Sequence, residues 1–176
     1  LKEIDYKPNQ LARSLKLNKR YRFVILLPDD ELDEYWRPCF VGIQELKSSF
    51  EANGMLVHVL KYSPNSPRDF VKKAQRSMDL SPDAVLLGAL FLKESREYLR
   101  LLEEKGILFN LINTEVEGVK FSTFVGQNLL QSGRTAAHLF DPFFPSVHSL
   151  LVLHMDVAFD NALHMHQTEL GFRESF

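Results

Sequence analysis

The sequence predicts an α/β protein built on a doubly wound parallel sheet. Apolar runs of strand length alternate along the chain with segments whose apolar residues recur at helical spacing. The runs lack the alternation of polar and apolar residues found in a strand with one solvent-facing side, so they are typical of strands buried on both faces. Strands that alternate with helices in this way lie parallel and are joined by right-handed crossovers.

The first predicted strand spans residues 21–28, a continuous apolar run that Pro28 closes. A helix is predicted over 35–53, where four large apolar residues recur at helical spacing: Phe40, Ile43, Leu46 and Phe50. Asn53 and Gly54 end this helix, because Asn and Gly tolerate the left-handed conformation common at helix ends. The second strand follows at 55–60.

The middle of the chain repeats the same alternation. A helix begins at Ser66 and Pro67, a capping residue followed by proline at its favoured early position, and continues to about residue 78. The third strand is predicted over 83–89. The third helix covers 94–105 and is followed by Gly106.

The last third of the chain adds three strands and two helices. Strands are predicted over 107–112 and, shorter, over 121–125. A helix over 129–140 ends at Asp141 and Pro142, because the residue before proline avoids the helical conformation. A further buried strand at 147–155 and a helix at 161–176 complete the prediction.

The net charge of the 176-residue chain conceals two oppositely charged parts. Overall, 21 Lys and Arg stand against 23 Asp and Glu, which gives −2. The first 22 residues hold seven of the basic residues and two of the acidic ones, a charge of +5, so the other 154 residues carry −7. The first segment is either an exposed terminus with solvated charges or a surface for a polyanion.

Several classes of site are not predicted. Cys39 is the single cysteine, so it has no internal disulfide partner, and its surroundings match no nucleophile signature. His164 and His166 are two residues apart and point to different sides of a helix, so no metal site is expected. No glycine-rich phosphate loop follows the first strand, so no cofactor is expected, and we do not expect an enzyme. No apolar run approaches the length of a membrane span.

Ligands of doubly wound sheets bind beyond the carboxyl ends of the strands, and this rule selects four connections, 28–36, 89–92, 113–118 and 126–129. Asp29 follows the first strand, and Tyr35 and Trp36 begin the next helix. An aromatic ring with carboxylates or amides around it suits a carbohydrate, although Trp36 would serve equally well in the core. Asn113 closes the fourth strand and either faces the cleft or serves only as a turn residue.

A motif at residues 6–15 resembles the hinge of LacI/GalR-type bacterial transcription regulators. The motif reads Tyr6-x-Pro8-Asn9-x-x-Ala12-Arg13-x-Leu15. Two later segments, 124–139 and 169–176, are also similar to that family. The resemblance implies a periplasmic-binding-protein-like fold of type I. It divides the chain into the end of a DNA-binding headpiece with the hinge (1–20), a first lobe (21–141) and the truncated start of a second lobe (142–176).

The resemblance also implies how the hinge contacts operator DNA. In this family the hinge helices of a homodimer pair in the minor groove, where a leucine at the position of Leu15 acts as an apolar wedge. Asn9, Arg13 and Lys16 would then lie near bases or phosphates. First-lobe helices would form the dimer, and a small effector, expected to be a sugar or sugar derivative, would control DNA affinity allosterically.

Two effector-binding positions depart from the family pattern. Asn128 stands where the family usually has an aspartate that accepts hydrogen bonds from sugar hydroxyls, and an amide both accepts and donates. Thr168 stands where the family usually has an arginine that grips the ligand, so five donors and a charge are lost. We expect a cytoplasmic regulator; the alternative is a sugar-binding receptor of the same fold without a DNA role.

Overall fold

The computed structural model describes residues 20–140, 143, 149–154 and 163–175. Within them, five parallel strands form one sheet in the order β2-β1-β3-β4-β5. The strands are β1 (Tyr21–Pro28), β2 (Met55–Tyr62), β3 (Ala84–Gly88), β4 (Leu108–Ile112) and β5 (Thr123–Val125). The helices are α1 (Arg37–Ala52), α2 (Pro67–Asp79), α3 (Leu92–Glu104), α4 (Leu129–Phe140) and α5 (Leu163–Ser175). The predicted α/β class and parallel sheet are confirmed.

The start of the first predicted helix differs from the prediction. A short 3-10 helix, Glu34–Trp36, precedes α1, which begins at Arg37 with a proline in its first turn. The Asp33 carboxylate accepts a hydrogen bond from the Tyr35 backbone N–H at 3.1 Å and so caps the short helix. This turn lies at the carboxyl end of β1 and directs the Tyr35 side chain toward solvent and the Trp36 side chain into the core.

Apolar side chains pack on both faces of the sheet, as the continuous apolar runs predict. On one face the core joins β1, β3 and β4 to α2 and α3, with Tyr62, Phe70, Phe91 and Tyr98 in aromatic contact. On the other face a smaller core joins Leu27, Trp36 and Phe40. Leu46 and Phe50 of α1 are 53% and 39% exposed.

The strand predicted over 147–155 is not present at 149–154, the part of it that the structure describes. The side chains of Leu151 and Leu153 there are 80% and 77% exposed. A strand needs hydrogen bonds from a neighbouring strand, and within the described residues the sheet ends at β5. An apolar run without such a partner does not form a strand.

The last two helices cross at very short distance. Gly133 of α4 and Gly171 of α5 are both buried at the crossing. A Cβ atom at Gly133 would overlap the backbone carbonyl of Thr168, and one at Gly171 would overlap that of Leu130. Glycine at both positions therefore lets the two backbones touch. A 2.7 Å ion pair between Arg134 and Glu174 spans the same crossing.

Candidate ligand cleft

A cleft of about 530 Å³ opens at the carboxyl ends of β4 and β5, as the strand-end rule requires. The segment after β4 forms one wall, the β5–α4 connection forms the second, and α5 forms the third. Its polar lining consists of Asn113, Thr114, Glu115, Gln127, Asn128, His164 and Gln167. Its apolar lining consists of Phe124, Leu129, Leu130 and Leu170. Among these described lining residues, none is lysine or arginine.

Asn113 occupies the point where the chain leaves β4 and turns into the cleft. Its φ of +70° lies in the left-handed region, which asparagine tolerates better than most residues. Its backbone N–H donates to the Val125 carbonyl at 2.8 Å, which ties the ends of β4 and β5 together. Its side-chain oxygen accepts a 2.6 Å hydrogen bond from the Tyr35 hydroxyl.

Tyr35 and Trp36 are adjacent in sequence but occupy different environments. Tyr35 is 60% exposed, while Trp36 is 1% exposed in the smaller core. The two rings meet edge to face at 5.5 Å between centroids. Partial burial, with nearby Cys39 and Asp33, raises the pKa of the Tyr35 hydroxyl, which favours the neutral form that donates to Asn113. The structure thus links Tyr35 to the cleft residue Asn113 and buries Trp36 in the smaller core.

Asn128 combines a structural function with a position in the cleft wall. Its side-chain oxygen accepts from the Gln131 backbone N–H at 3.0 Å, and its carbonyl accepts from the Ser132 N–H at 2.9 Å. It is therefore the N-cap of α4. Because the oxygen serves the cap, the two N–H bonds of the Asn128 amide nitrogen are the groups that a ligand in the cleft can use.

Thr168 lies at the crossing of α4 and α5, outside the cleft lining. Its hydroxyl donates to the His164 carbonyl one turn earlier at 2.8 Å, and its own carbonyl faces Gly133. Its neighbour Gln167 lines the cleft instead, together with His164. Neither residue was predicted as a ligand-binding residue, although their spacing of three puts them on one face of a helix.

Asp29 lies beyond β1, in an acidic group that is ion-paired with a single lysine. The ammonium of Lys61, at the end of β2, lies 2.5 Å from Asp30 and 3.6 Å from Asp29. The same ammonium lies 4.7 Å from the centre of the Phe40 ring. The hydrogen bond from Lys61 lowers the pKa of Asp30. Asp29 thus lies in an ion-paired group at the β1–β2 end of the sheet edge, separate from the lining at β4 and β5.

The predicted DNA-contacting residues Asn9, Arg13, Leu15 and Lys16 lie outside the described residues. The structure therefore brings Asn113 and Asn128 together in the lining of one cleft. Tyr35 is outside that lining and is hydrogen-bonded to Asn113, and the hinge prediction stays a prediction. Within the described residues, no helix is long and apolar enough to cross a bilayer.

The chain resembles solved structures of one architecture. A chain assigned as a LacI transcriptional regulator from Bacteroides fragilis superimposes with a TM-score of 0.76 at 26% identity, over 89% of this chain and 55% of that one. A solute-binding protein of a Bacillus halodurans ABC transporter, solved with myo-inositol, superimposes with a TM-score of 0.73 at 12% identity, over 88% of this chain and 53% of that one. No family model and no curated protein matches the chain.

A third similar structure is a glucose-galactose binding protein from Geobacillus stearothermophilus, with a TM-score of 0.69 at 16% identity over 89% of this chain and 54% of that one. The chain spans about half the length of these proteins. The similarity shows that it has the periplasmic-binding-protein-like α/β fold, which occurs among these neighbours both in sugar-binding proteins and in a regulator.

Proposed function

We propose that the cleft binds a neutral polyhydroxylated molecule, such as a sugar or a polyol. The single observation that carries the proposal is the composition of the lining at the strand ends: amide and carboxylate groups interleaved with Phe124 and leucines. Amides donate to and accept from hydroxyl groups, and apolar side chains cover the C–H faces of a sugar ring. Without a lysine or arginine among the described lining residues, the cleft favours a neutral ligand over a phosphorylated one.

We further propose that the chain is part of a LacI-type transcription regulator that works as a cytoplasmic homodimer. Three features support this function: the hinge-like motif at 6–15, the +5 charge of the first 22 residues and the similarity to the Bacteroides fragilis regulator. Asn9, Arg13 and Lys16 contact the operator, and Leu15 wedges between base steps. Segment 1–20 comprises the end of the DNA-binding headpiece and the hinge helix, 21–141 the first lobe and 142–176 the start of the second.

In this proposal the ligand acts on DNA affinity through the cleft walls. A ligand held by Asn113 on one wall and by Asn128 and Gln167 on the others changes the relative position of the walls. That change alters the dimer geometry and the pairing of the hinge helices, so ligand and DNA influence each other's affinity reciprocally.

The second candidate function is a sugar-binding receptor without a DNA role. The sugar-binding neighbours favour it, since their folds match almost as well as that of the regulator. Both candidates share the cleft and its neutral ligand, so only a DNA experiment separates them.

A gel-shift titration of the intact protein on the DNA upstream of its own gene tests the regulator function. We expect specific binding whose affinity falls steeply with salt. Lys16→Ala should reduce the slope of log affinity against log salt by about one. Leu15→Ala should weaken specific binding at matched salt about tenfold or more, since the apolar wedge supports the bent complex. Unchanged affinity in Leu15→Ala would rule out the wedge role of Leu15. No specific binding by the parent protein would favour the receptor.

A further inference from the structure

We propose that His154, His166 and Glu169 form a binding site for a transition-metal ion, with zinc as the best match. None of these three residues lines the ligand cleft or belongs to the predicted DNA contacts. One ligand atom of each side chain lies within 4.8 Å of the other two. The Nε2 atom of His154 lies 2.8 Å from Oε2 of Glu169, and the rings of His154 and His166 are 5.1 Å apart, edge to face.

The helix spacing explains why the three side chains converge. His166 and Glu169 are three residues apart in α5 and therefore share a face of the helix. His154 reaches the same face from the segment 149–154. In the sequence, His164 and His166 point to different sides of a helix and His154 has no cysteine or carboxylate at ligand spacing. A site that joins residues of two separate segments was therefore not predicted.

The donor set selects the class of ion. Two imidazoles and one carboxylate, with water as the fourth ligand, are a common zinc coordination. Calcium and magnesium prefer oxygen ligands alone. Tetrahedral bonds of about 2.1 Å separate ligand atoms by about 3.4 Å. Because the three atoms are already within 4.8 Å of one another, side-chain rotations suffice to close the site.

The surroundings of Glu169 hold its carboxylate in the required orientation. Its Oε1 atom accepts a 2.6 Å hydrogen bond from Nε of Arg173 and lies 2.6 Å from Nη2 of the same guanidinium, while Oε2 faces His154. Hydrogen bonds to the non-coordinating atom of a ligand fix its direction and are typical of metal sites. The side chains of His154 and Glu169 are each 19% exposed, whereas His166 is exposed, so two of the three ligands are shielded from solvent and the third is open to it.

A bound ion would join segment 149–154 to α5, the helix that also carries Gln167 of the cleft. The metal would therefore stabilise the helix that forms the third wall. Binding free energy that is available only to the folded chain adds directly to its stability.

The experiment uses intact protein stripped of metal with a chelator and then titrated with zinc alone against a chromophoric zinc indicator. We expect one zinc per chain and a higher melting temperature. His154→Ala and His166→Ala should each weaken zinc binding by at least about 100-fold, because even outer ligand partners contribute about 10–100-fold. His138→Ala, an exposed histidine on α4, should bind zinc as the parent does.

Two outcomes would overturn the site. One is a zinc stoichiometry near zero. The other is an equal zinc affinity in all three histidine variants, which would mean adventitious binding by scattered histidines. If a variant does not fold, X-ray absorption of the zinc-loaded parent decides the question: two imidazoles with oxygen ligands support the site, whereas sulfur or oxygen-only coordination contradicts it.

Discussion

The hydroxyl of Tyr35 donates a 2.6 Å hydrogen bond to the side-chain oxygen of Asn113, 78 positions further along the chain. The bond joins the turn after β1 to the turn after β4, across the carboxyl edge of β3. Both turns are therefore held in a fixed relation before any ligand enters. A binding site that is built in advance loses less conformational entropy on binding.

Three substitutions separate the contributions of Asn113. Asn113→Gly and Tyr35→Phe both remove the same hydrogen bond, and each should lower the free energy of unfolding by about 1 kcal/mol. Asn113→Ala should lower the free energy of unfolding by about 1 kcal/mol more than Asn113→Gly does, because alanine is strained at a φ of +70° and glycine is not. Urea denaturation of the three variants measures these differences. Equal stability of the Ala and Gly variants would contradict the left-handed conformation.

Gly88 determines whether Trp36 can remain buried. A Cβ atom at Gly88 would lie 2.8 Å from the Trp36 ring and 2.9 Å from Leu27. Gly88→Ala should therefore destabilise the protein by about 1–3 kcal/mol through overpacking and should also disturb Tyr35 through the displaced indole. Tryptophan fluorescence reports the displacement directly, because Trp36 is the single tryptophan.

Gly42→Ala is the matched control for Gly88→Ala. A Cβ atom at Gly42 would meet no atom within 4 Å, and the residue lies inside α1. Alanine there should raise stability by about 0.5–1 kcal/mol, because glycine is unfavourable in a helix interior. A Gly88→Ala protein as stable as the parent would refute the close packing on Trp36.

The crossing of α4 and α5 should depend on the absence of a side chain at Gly133. Gly133→Ala places a methyl group against the Thr168 carbonyl, so the helices must separate, at a cost of about 3 kcal/mol. Ser132→Ala, at the adjacent exposed position, should change stability by less than about 0.5 kcal/mol. Hydrogen exchange of α5 measures the effect locally. Unchanged protection of α5 in Gly133→Ala would contradict the tight crossing.

The buried tyrosines predict a loss of stability at alkaline pH. Burial raises the pKa of Tyr98 from its ordinary value near 10 to about 12, while its hydrogen bond to Ser77 lowers it. Burial raises the pKa of Tyr62 as well. An unfolded tyrosine ionises at lower pH than these folded ones, so the stabilisation is complete below about pH 10 and falls as the pH rises toward 12.

Absorbance of tyrosinate during an alkaline titration measures this effect. Tyr98 and Tyr62 should ionise together with unfolding and not as independent surface groups. Tyr98→Phe should make the unfolding midpoint less sensitive to pH. Ionisation of all tyrosines near pH 10 with the fold intact would contradict their burial.

The fold was predictable from the sequence because each strand is a local apolar run bounded by turn residues. The segment 149–154 shows the limit of this reasoning. Its leucines form an equally apolar run, but a strand also requires a hydrogen-bonding neighbour, and no local pattern reveals whether one is present.

The site was predictable only in part. The strand-end rule selected Asn113 and the turn that holds Tyr35, because sheet topology fixes where strands end. It could not decide which of Tyr35 and Trp36 faces inward, since that depends on Gly88, which is 52 positions away in the sequence. Gln167 was missed for a related reason: its position in the cleft follows from the α4–α5 crossing, which brings distant glycines together.

Isothermal titration calorimetry of the intact protein with neutral sugars and polyols, and with their phosphorylated counterparts, tests the central proposal most directly. The decisive variant is Asn128→Ser, because serine still caps α4 but lacks the amide donors. We predict that a neutral compound binds at one per chain, that its phosphorylated counterpart binds more weakly, and that Asn128→Ser weakens binding about tenfold at unchanged stability. Tighter binding of the phosphorylated compounds, equal affinity in Asn128→Ser, or no binding by any neutral compound would contradict the proposal.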